Sequence, residues 1–530
     1  MHPVQTFELV LLLMAFVVAL HGAAARLRLP PSAALLVGGG ALAFVPGIPQ
    51  LSLDPELALV LFLPPLLMDG AYYTAFGRFR RHLPGILSLA VGAVLFTTLI
   101  VGAVIHWLVP ALPLAACFAL GAIVSPPDAV AARAVLQRVT LPRRLRALLE
   151  GESLLNDATG LVLFRFAVAA TLSGSFDAGA AVGSFLFLGI GGALVGAGVG
   201  FAAVAVMRRM HDETLIVAVA TLLSWGAYIA GEALHVSGVI ATVAAGIVFG
   251  WHQHVVLPAK VRMQGSAFWR TLIFSLEALV FILIGFSLGA VVDRVGGVEA
   301  IVSTMTVPVL AVVATVLLAR FAWVFAVEGL LSLLRRAGLT RVRLLGKRQA
   351  TILAWTGMRG VVTLAVALTL PEAMPGRDLM LVAAFAVILV TVVVQGSSLG
   401  WLIRLVGPED EDPQAAVDLA AAEAAIATAR RDAVEASAYD SEGTLLHPRL
   451  LDEYRRRADA TQRYAGDADS FTSDIRAHYD VVLAGIEAGR AELIRLHREG
   501  KIEDEVLHDL ERDLDLEELS ALFQRGEGAA

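Results

Sequence analysis

Long apolar stretches separated by short polar loops run along most of this chain. A stretch of about twenty apolar residues is the length that crosses a bilayer as one α-helix. About thirteen such stretches precede residue 407, and they predict an all-α polytopic membrane protein. They lie near residues 6–24, 31–49, 56–76, 84–108, 113–137, 148–172, 180–207, 214–233, 236–250, 267–292, 303–330, 348–370 and 379–404.

The pattern changes after residue 406. Runs such as LAGIEAGRAELIRLHREG (483–500) are rich in Ala, Glu and Arg and have the spacing of amphipathic helices. We therefore divide the chain into a transmembrane domain, 1–406, and an acidic cytoplasmic helical tail, 407–530. The tail contains no glycine-rich phosphate loop and no metal signature, and no cofactor is expected.

Composition and charge agree with this division. Hydrophobic residues make up 57% of the chain, against about 45–50% in soluble domains. Residues 1–406 carry 27 Lys and Arg against 18 Asp and Glu, whereas residues 407–530 carry 14 against 30. A basic membrane domain thus precedes an acidic tail. The single cysteine, Cys117, excludes a disulfide framework within one chain.

The loop charges predict the orientation. Basic residues cluster after each odd-numbered segment, from Arg26 and Arg28 after the first to six Arg and Lys between 335 and 348 after the eleventh. The other loops carry almost none, with Arg294 and Arg377 as exceptions. By the positive-inside rule the N-terminus lies outside and the tail lies in the cytoplasm.

Two segments contain helix-breaking residues. Segment 5 holds Pro126-Pro127, and proline both removes an amide donor and clashes with the preceding turn. Segment 12 holds TGMRG at 356–360. The breaks are seven segments apart, at matching places in segments 1–6 and 8–13. Inverted repeats with broken helices at matching positions are typical of secondary transporters, whose ion site lies near the membrane midplane.

Segment 6 carries a polar stripe in GESLLNDATG (151–160). Ser153, Asn156, Asp157 and Gly160 fall on one face of a helix, with Glu152 at its edge. Oxygen groups are the ligands that hard cations prefer. Interhelical hydrogen bonding would explain the serine and asparagine. An ionisable Asp157 is costly in a membrane and indicates function.

Other buried charges leave alternatives open. Asp128 follows the first break, where it either joins Asp157 at an ion site or caps a half-helix. Arg359 in the second break either satisfies a carboxylate or offsets half-helix dipoles. Asp69 is equally compatible with a structural and a functional role. Arg165 and Arg320 are interpreted as snorkelling or ion-paired residues.

At these residues the chain resembles the bacterial branch of the monovalent cation/proton antiporter family, which includes the sodium/proton exchangers. The matching strings occur in family order across the membrane domain, and the tail also resembles that of the bacterial subgroup, ending KIEDEVLHDLERDLDLEEL. The membrane strings are FLPPLLMDGAYY (62–73), SPPDAVAARAVL (125–136), GESLLNDATGLVLF (151–164), ALHVSG (233–238), SLEALVFILIGFSL (275–288) and WTGMRGVVTLAVAL (355–368).

The resemblance implies thirteen spans, two crossed broken helices and a homodimer that exchanges cytoplasmic Na⁺ for external H⁺. It implies that Asp157 binds the cation and the proton, and that Asp128 is its partner in holding a transient Na⁺. The other roles that it implies are cation binding for Asn156 and Ser153, an acidic position near the site for Asp69, and a structural ion pair for Glu152 with Arg359. Asn156-Asp157 is the pairing that the resemblance associates with electroneutral exchange.

One departure bears on ion choice. Many relatives have Thr or Val before the aspartate of the first break, where this chain has Pro127, so a threonine hydroxyl is unavailable there. This departure affects the ligand geometry and the ion preference. Potassium/proton exchange is the nearest alternative, and Li⁺ is a further candidate ion. A proton-coupled organic solute carrier is a weaker alternative.

Other classes fit less well. An intramembrane aspartyl protease also uses two aspartates, but its glycine-x-glycine-aspartate motif is absent around Asp128 and Asp157. A channel would need a continuous selectivity path. We expect a transporter rather than an enzyme. Its expected surroundings are the lipid membrane, and nucleic acid is not expected as a partner.

Overall fold

A computed structural model of the chain describes residues 3–27, 29–45, 55–74, 76–128, 141–175, 178–340, 342–408, 419–442, 444–466 and 468–525. All regular elements within these ranges are helical. The second half of predicted segment 5, residues 129–137, lies outside them.

In the described ranges, seven α-helices lead from the N-terminus to the polar stripe. They are α1 (Pro3–Leu27), α2 (Pro31–Ala43), α3 (Pro55–Tyr72), α4 (Phe76–Leu87), α5 (Val94–Leu108), α6 (Leu114–Val124) and α7 (Arg143–Ser173). A π-helical turn, Ser88–Ala93, joins α4 to α5.

The remaining helices of the apolar part follow. They are α8 (Ala178–Met207), α9 (Glu213–Ala233), α10 (Gly238–Val256), α11 (Ala259–Val295), α12 (Val298–Thr304), α13 (Thr306–Arg336), α14 (Gly346–Trp355), α15 (Val361–Leu368), α16 (Arg377–Val390) and α17 (Gly396–Val406). A second π-helical turn, Thr391–Gln395, joins α16 to α17.

Among the described residues, eight helices are long and apolar enough to cross a membrane. Shorter apolar helices accompany them. The eight are Phe79–Leu108, Arg143–Ser173, Ala181–Met207, Glu213–Ala233, Gly238–Val256, Ala259–Val295, Thr306–Arg336 and Arg377–Val406. The described part of the chain is thus all-helical, with the apolar helices of a multi-pass membrane protein.

Local chemistry sets several helix boundaries. The Asp212 side chain caps α9 by accepting from the Leu215 amide at 2.9 Å, and Ser237 caps α10 by accepting from the Ile240 amide at 3.2 Å. Prolines at positions 142 and 258 immediately precede α7 and α11, where a missing amide costs nothing.

Small residues allow the closest helix contacts. A Cβ at Gly39 of α2 would overlap the Ile282 carbonyl of α11, and a Cβ at Gly196 of α8 would overlap the Ala241 backbone of α10. Glycine at these positions lets the helix backbones touch. The glycine-rich sequence of segment 7 therefore serves helix packing inside this chain.

Contacts divide the chain into two compact units, Met1–Asp412 and Pro413–Ala530. The second unit contains α18 (Leu419–Ser437), α19 (Pro448–Gly466), α20 (Ala468–Arg498) and α21 (Asp504–Arg525). These helices pair α18 with α19 and α20 with α21. Arg490 of α20 holds Asp515 and Glu518 of α21 at 2.6 Å each.

Candidate cation site at two broken helices

The polar stripe lies on α7, whose residues 151–160 are almost entirely buried. Asn156 is fully buried, Asp157 is 7% exposed and Glu152 is 2% exposed. Ser153 is half-buried. Because a charge removed from water is costly, the stripe must be neutralised by protein groups, a proton or a bound cation.

Helical backbone ends at the first predicted break and is interrupted at the second. Helix α6 ends at Val124, and residues 125–128 are non-helical. Helix α14 ends at Trp355 and α15 starts at Val361, with residues 356–360 between them. The Asp128 amide donates to the Met358 carbonyl at 2.6 Å, so the two interruptions contact each other.

Asp128 closes the beginning of α15. Its Oδ2 accepts from the Val361 amide at 3.0 Å. Asp128 therefore caps the half-helix of the other break, where a negative charge is favoured by the helix dipole. A Cβ at Gly360 would overlap the Asp128 carboxylate, so glycine is required for this approach.

Asn156 joins the stripe to the first break. Its Nδ2 donates to the Pro127 carbonyl, while its Oδ1 is buried without a hydrogen-bond partner among the described residues. A buried amide oxygen left without a donor costs free energy unless something else satisfies it. The orientation of Asn156 thus leaves a buried oxygen, on the residue that precedes Asp157, available as a ligand.

Asp157 completes the candidate site. Its carboxylate forms no hydrogen bond or ion pair with any residue that the structure describes, and it lies near enough to Asp128 for their charges to interact. Two carboxylates and an amide oxygen are a donor set for a small hard cation. No group of three or more His, Cys, Asp or Glu suited to a metal occurs in the described ranges.

The resemblance implies an ion pair between Glu152 and Arg359, and this prediction is wrong about the partner of Glu152. Arg320 of α13 holds Glu152 instead, with Nη1 at 2.6 Å from Oε1 and Nη2 at 2.8 Å from Oε2. The Arg320 Nε also donates to the Leu353 carbonyl at 3.2 Å. Arg320 is 3% exposed, so the pair is almost completely removed from water. A bidentate fork is the favoured geometry for an arginine and a carboxylate.

Arg359 binds backbone instead of a carboxylate. Its Nε and Nη2 donate to the Val124 and Ser125 carbonyls at 2.9 and 3.2 Å, and its Nη1 donates to the Gly357 carbonyl. Its own amide donates to the Thr391 hydroxyl at 3.0 Å. A cation at the C-terminal end of α6 is favoured by the helix dipole. Arg359 thus connects the two breaks.

Asp69 lies on α3 and is 7% exposed. Its Oδ1 accepts from the Trp269 Nε1 of α11 at 3.0 Å. Sequence reasoning did not identify Trp269, which has no distinguishing pattern. Arg320 had a detectable signal, because it is a lone charge in an apolar segment.

Known proteins are similar to this chain over the part that contains the candidate site. The family model "Sodium/hydrogen exchanger, transmembrane" matches residues 12–405. An uncharacterized Na⁺/H⁺ exchanger of Mycobacterium tuberculosis (strain ATCC 25618 / H37Rv) is 34% identical over 94% of this chain and 93% of its own length. A sodium, potassium, lithium and rubidium/H⁺ antiporter of Bacillus pumilus (strain SAFR-032) is 32% identical over 91% of this chain and 73% of its own length.

Among solved structures, the fold is similar to that of the sodium proton antiporter MjNhaP1 from Methanocaldococcus jannaschii. The TM-score is 0.62 at 21% identity, and the similarity covers 77% of this chain and all of that one. At this identity the likeness concerns the fold.

Proposed function

Because this chain belongs to the sodium/hydrogen exchanger family, we propose that it is a sodium/proton antiporter whose two ions compete for one site at Asp157. The observation that carries the site assignment is the buried Asp157 carboxylate beside the unpartnered Oδ1 of Asn156. Two oxygen groups on consecutive residues, without donors among the described residues, can be satisfied by a sodium ion or, at Asp157, by a proton.

Competition at this carboxylate couples the two fluxes. A bare, charged Asp157 is penalised inside the membrane, whereas binding of either ion neutralises it. Asp128 accepts a hydrogen bond from the amino end of α15, and Asn156 donates one to the first break. These two bonds fix the orientation of both side chains at the site. One proton then replaces one sodium ion, and the exchange is electroneutral.

The proposed architecture has thirteen spans. The eight long helices, four shorter apolar helices and the α14–α15 pair correspond in order to the thirteen apolar stretches. The two breaks support an inverted repeat. On the basic loops we place the N-terminus outside and the tail, residues 407–530, in the cytoplasm of a bacterial inner membrane. A homodimer exchanging cytoplasmic Na⁺ for external H⁺ completes the proposal.

Potassium/proton exchange is the second candidate. The Bacillus pumilus relative is named for sodium, potassium, lithium and rubidium. Pro127 also offers a carbonyl, already bonded to Asn156, but no side-chain hydroxyl to the site. A site with fewer fixed ligands discriminates less among ion sizes.

Proteoliposomes with an internal pH dye test the proposal. A pH gradient is imposed and Na⁺, K⁺ or Li⁺ is added to wild type, Asp157→Asn and the exposed control Glu299→Gln. We expect sodium-driven proton movement in wild type and Glu299→Gln, and none in Asp157→Asn. Retained exchange in Asp157→Asn would contradict the assignment of the ion site to Asp157. Proton movement with K⁺ alone would show that the substrate is potassium and not sodium.

A further inference from the structure

An apolar cavity lies between α3, α9, α10 and α11, away from the stripe of α7. Its empty volume is about 530 Å³, and this figure includes space that is open to the outside. Apolar side chains form most of its wall. They include Met68, Ile216, Ala220, Phe249, Leu257 and Val261.

The cavity carries one cationic side chain in its wall. Arg262 is half-buried and donates one Nη1 bond to the Leu257 carbonyl, which leaves its other donors for a ligand. No carboxylate of the described residues lies within ion-pair distance of Arg262. Its neighbour Lys260, in contrast, is paired with Glu213 at 2.7 Å. Among the residues that the structure describes, Arg262 thus has no acidic partner, and it lies beside an apolar space.

We propose that this cavity binds an anionic phospholipid. An acyl chain would lie against the apolar side chains of the cavity, and the planar guanidinium group of Arg262 would donate two hydrogen bonds to the phosphate. The cavity lies at the ends of helices whose loops are basic, which is the side assigned to the cytoplasm, where anionic headgroups collect. The Arg262 charge disfavours an organic cation as the occupant. A lipid without an acidic group would leave the guanidinium without an anion, and the headgroup cation of a zwitterionic phospholipid would be repelled by Arg262.

The cavity is connected to Asp69 by one side chain. Trp269 lines the cavity and donates to the Asp69 Oδ1 at 3.0 Å. Met68, the residue before Asp69, also lines it. A bound acyl chain therefore contacts the donor that orients Asp69, and the lipid would regulate exchange. This last step depends on the proposed function, whereas lipid binding itself does not.

Lipid binding to the purified full-length protein is the test. Native mass spectrometry would titrate phosphatidylglycerol and phosphatidylcholine with identical chains, and palmitate as a separate arm. We expect preference for phosphatidylglycerol and a loss of about tenfold in its affinity in Arg262→Ala, from the loss of a charge-assisted bond. Arg270→Ala, an exposed arginine of the same helix outside the cavity, should bind as wild type does.

A second variant tests the apolar part of the site. A Cβ at Gly265 would be in ordinary contact with Val217 at 3.6 Å, so Gly265→Leu should fold and fill the space. We expect it to weaken phosphatidylglycerol binding, and we expect Arg262→Lys to retain part of it. Quenching of fluorescence by brominated acyl chains should be smaller in Trp269→Phe than in wild type.

Three results would overturn the inference. The first is equal binding of the two phospholipids, and the second is phosphatidylglycerol binding that neither Arg262→Ala nor Gly265→Leu changes. The third is a preference for palmitate, which would identify the ligand as a free fatty acid. Asp157→Asn should bind lipid normally, so a failure of the exchange proposal is distinguishable from a failure of this one.

Discussion

The buried pair of Glu152 and Arg320 allows a quantitative test of the site's framework. The two side chains are 2% and 3% exposed and share two bonds of 2.6 and 2.8 Å. Removing one partner of such a pair leaves an uncompensated buried charge, which costs about 3–5 kcal/mol. We expect Arg320→Met and Glu152→Gln each to destabilise the protein by an amount of this order.

The double variant separates the pair from its surroundings. Glu152→Gln with Arg320→Met removes both charges, and the combined loss should be smaller than the sum of the single losses. The coupling should exceed about 1.5 kcal/mol, within the range for residues that share a buried network. Glu152→Gln with Arg359→Met should show weaker coupling, because Arg359 bonds to carbonyl groups.

The assay is denaturation of the protein in detergent by heat or denaturant. The measured quantity is the fraction of protein that remains monodisperse at each temperature or denaturant concentration. Glu299→Gln serves as the exposed control, for which we expect little change. Coupling of Glu152 to Arg359 that equals or exceeds its coupling to Arg320 would refute the assignment of partners. Additive effects of Glu152→Gln and Arg320→Met would refute the ion pair itself.

Three further predictions concern the site. Gly360→Ala should displace Asp128 from α15 and reduce exchange, because its Cβ would overlap the carboxylate; Gly226→Ala, which has open space around it, should behave as wild type in the same dye assay. Asn156→Ala should weaken apparent sodium affinity about tenfold by removing an oxygen ligand and the bond to Pro127, and unchanged affinity in a sodium titration would exclude that role. Since a proton and a sodium ion compete for Asp157, lowering the pH should weaken apparent sodium affinity by up to about tenfold per pH unit, and a constant affinity from about pH 6 to pH 9 would exclude competition.

Several features were predictable because they depend on local periodicity and composition. Apolar runs of membrane length locate the helices, and the stripe of Asn156 and Asp157 follows from helical spacing. Pro126-Pro127 and the glycines around Arg359 mark the breaks, because proline and glycine disfavour a continuous helix whatever surrounds them. Inverted repeats and the thirteen-span count are predictions that remain to be tested.

Other features required the tertiary structure, because they depend on which helix faces meet. Glu152 could have paired with Arg320 or Arg359, and only the packing of α13 against the break decides for Arg320. Asp128 caps α15, which begins more than two hundred residues later in the chain. The sequence by itself determined which charged groups enter the membrane, since hydrophobicity and helical spacing are properties of neighbouring residues. The tertiary structure decided which partners neutralise those groups, since ion pairs and hydrogen bonds require atoms from distant segments to lie within about 3 Å.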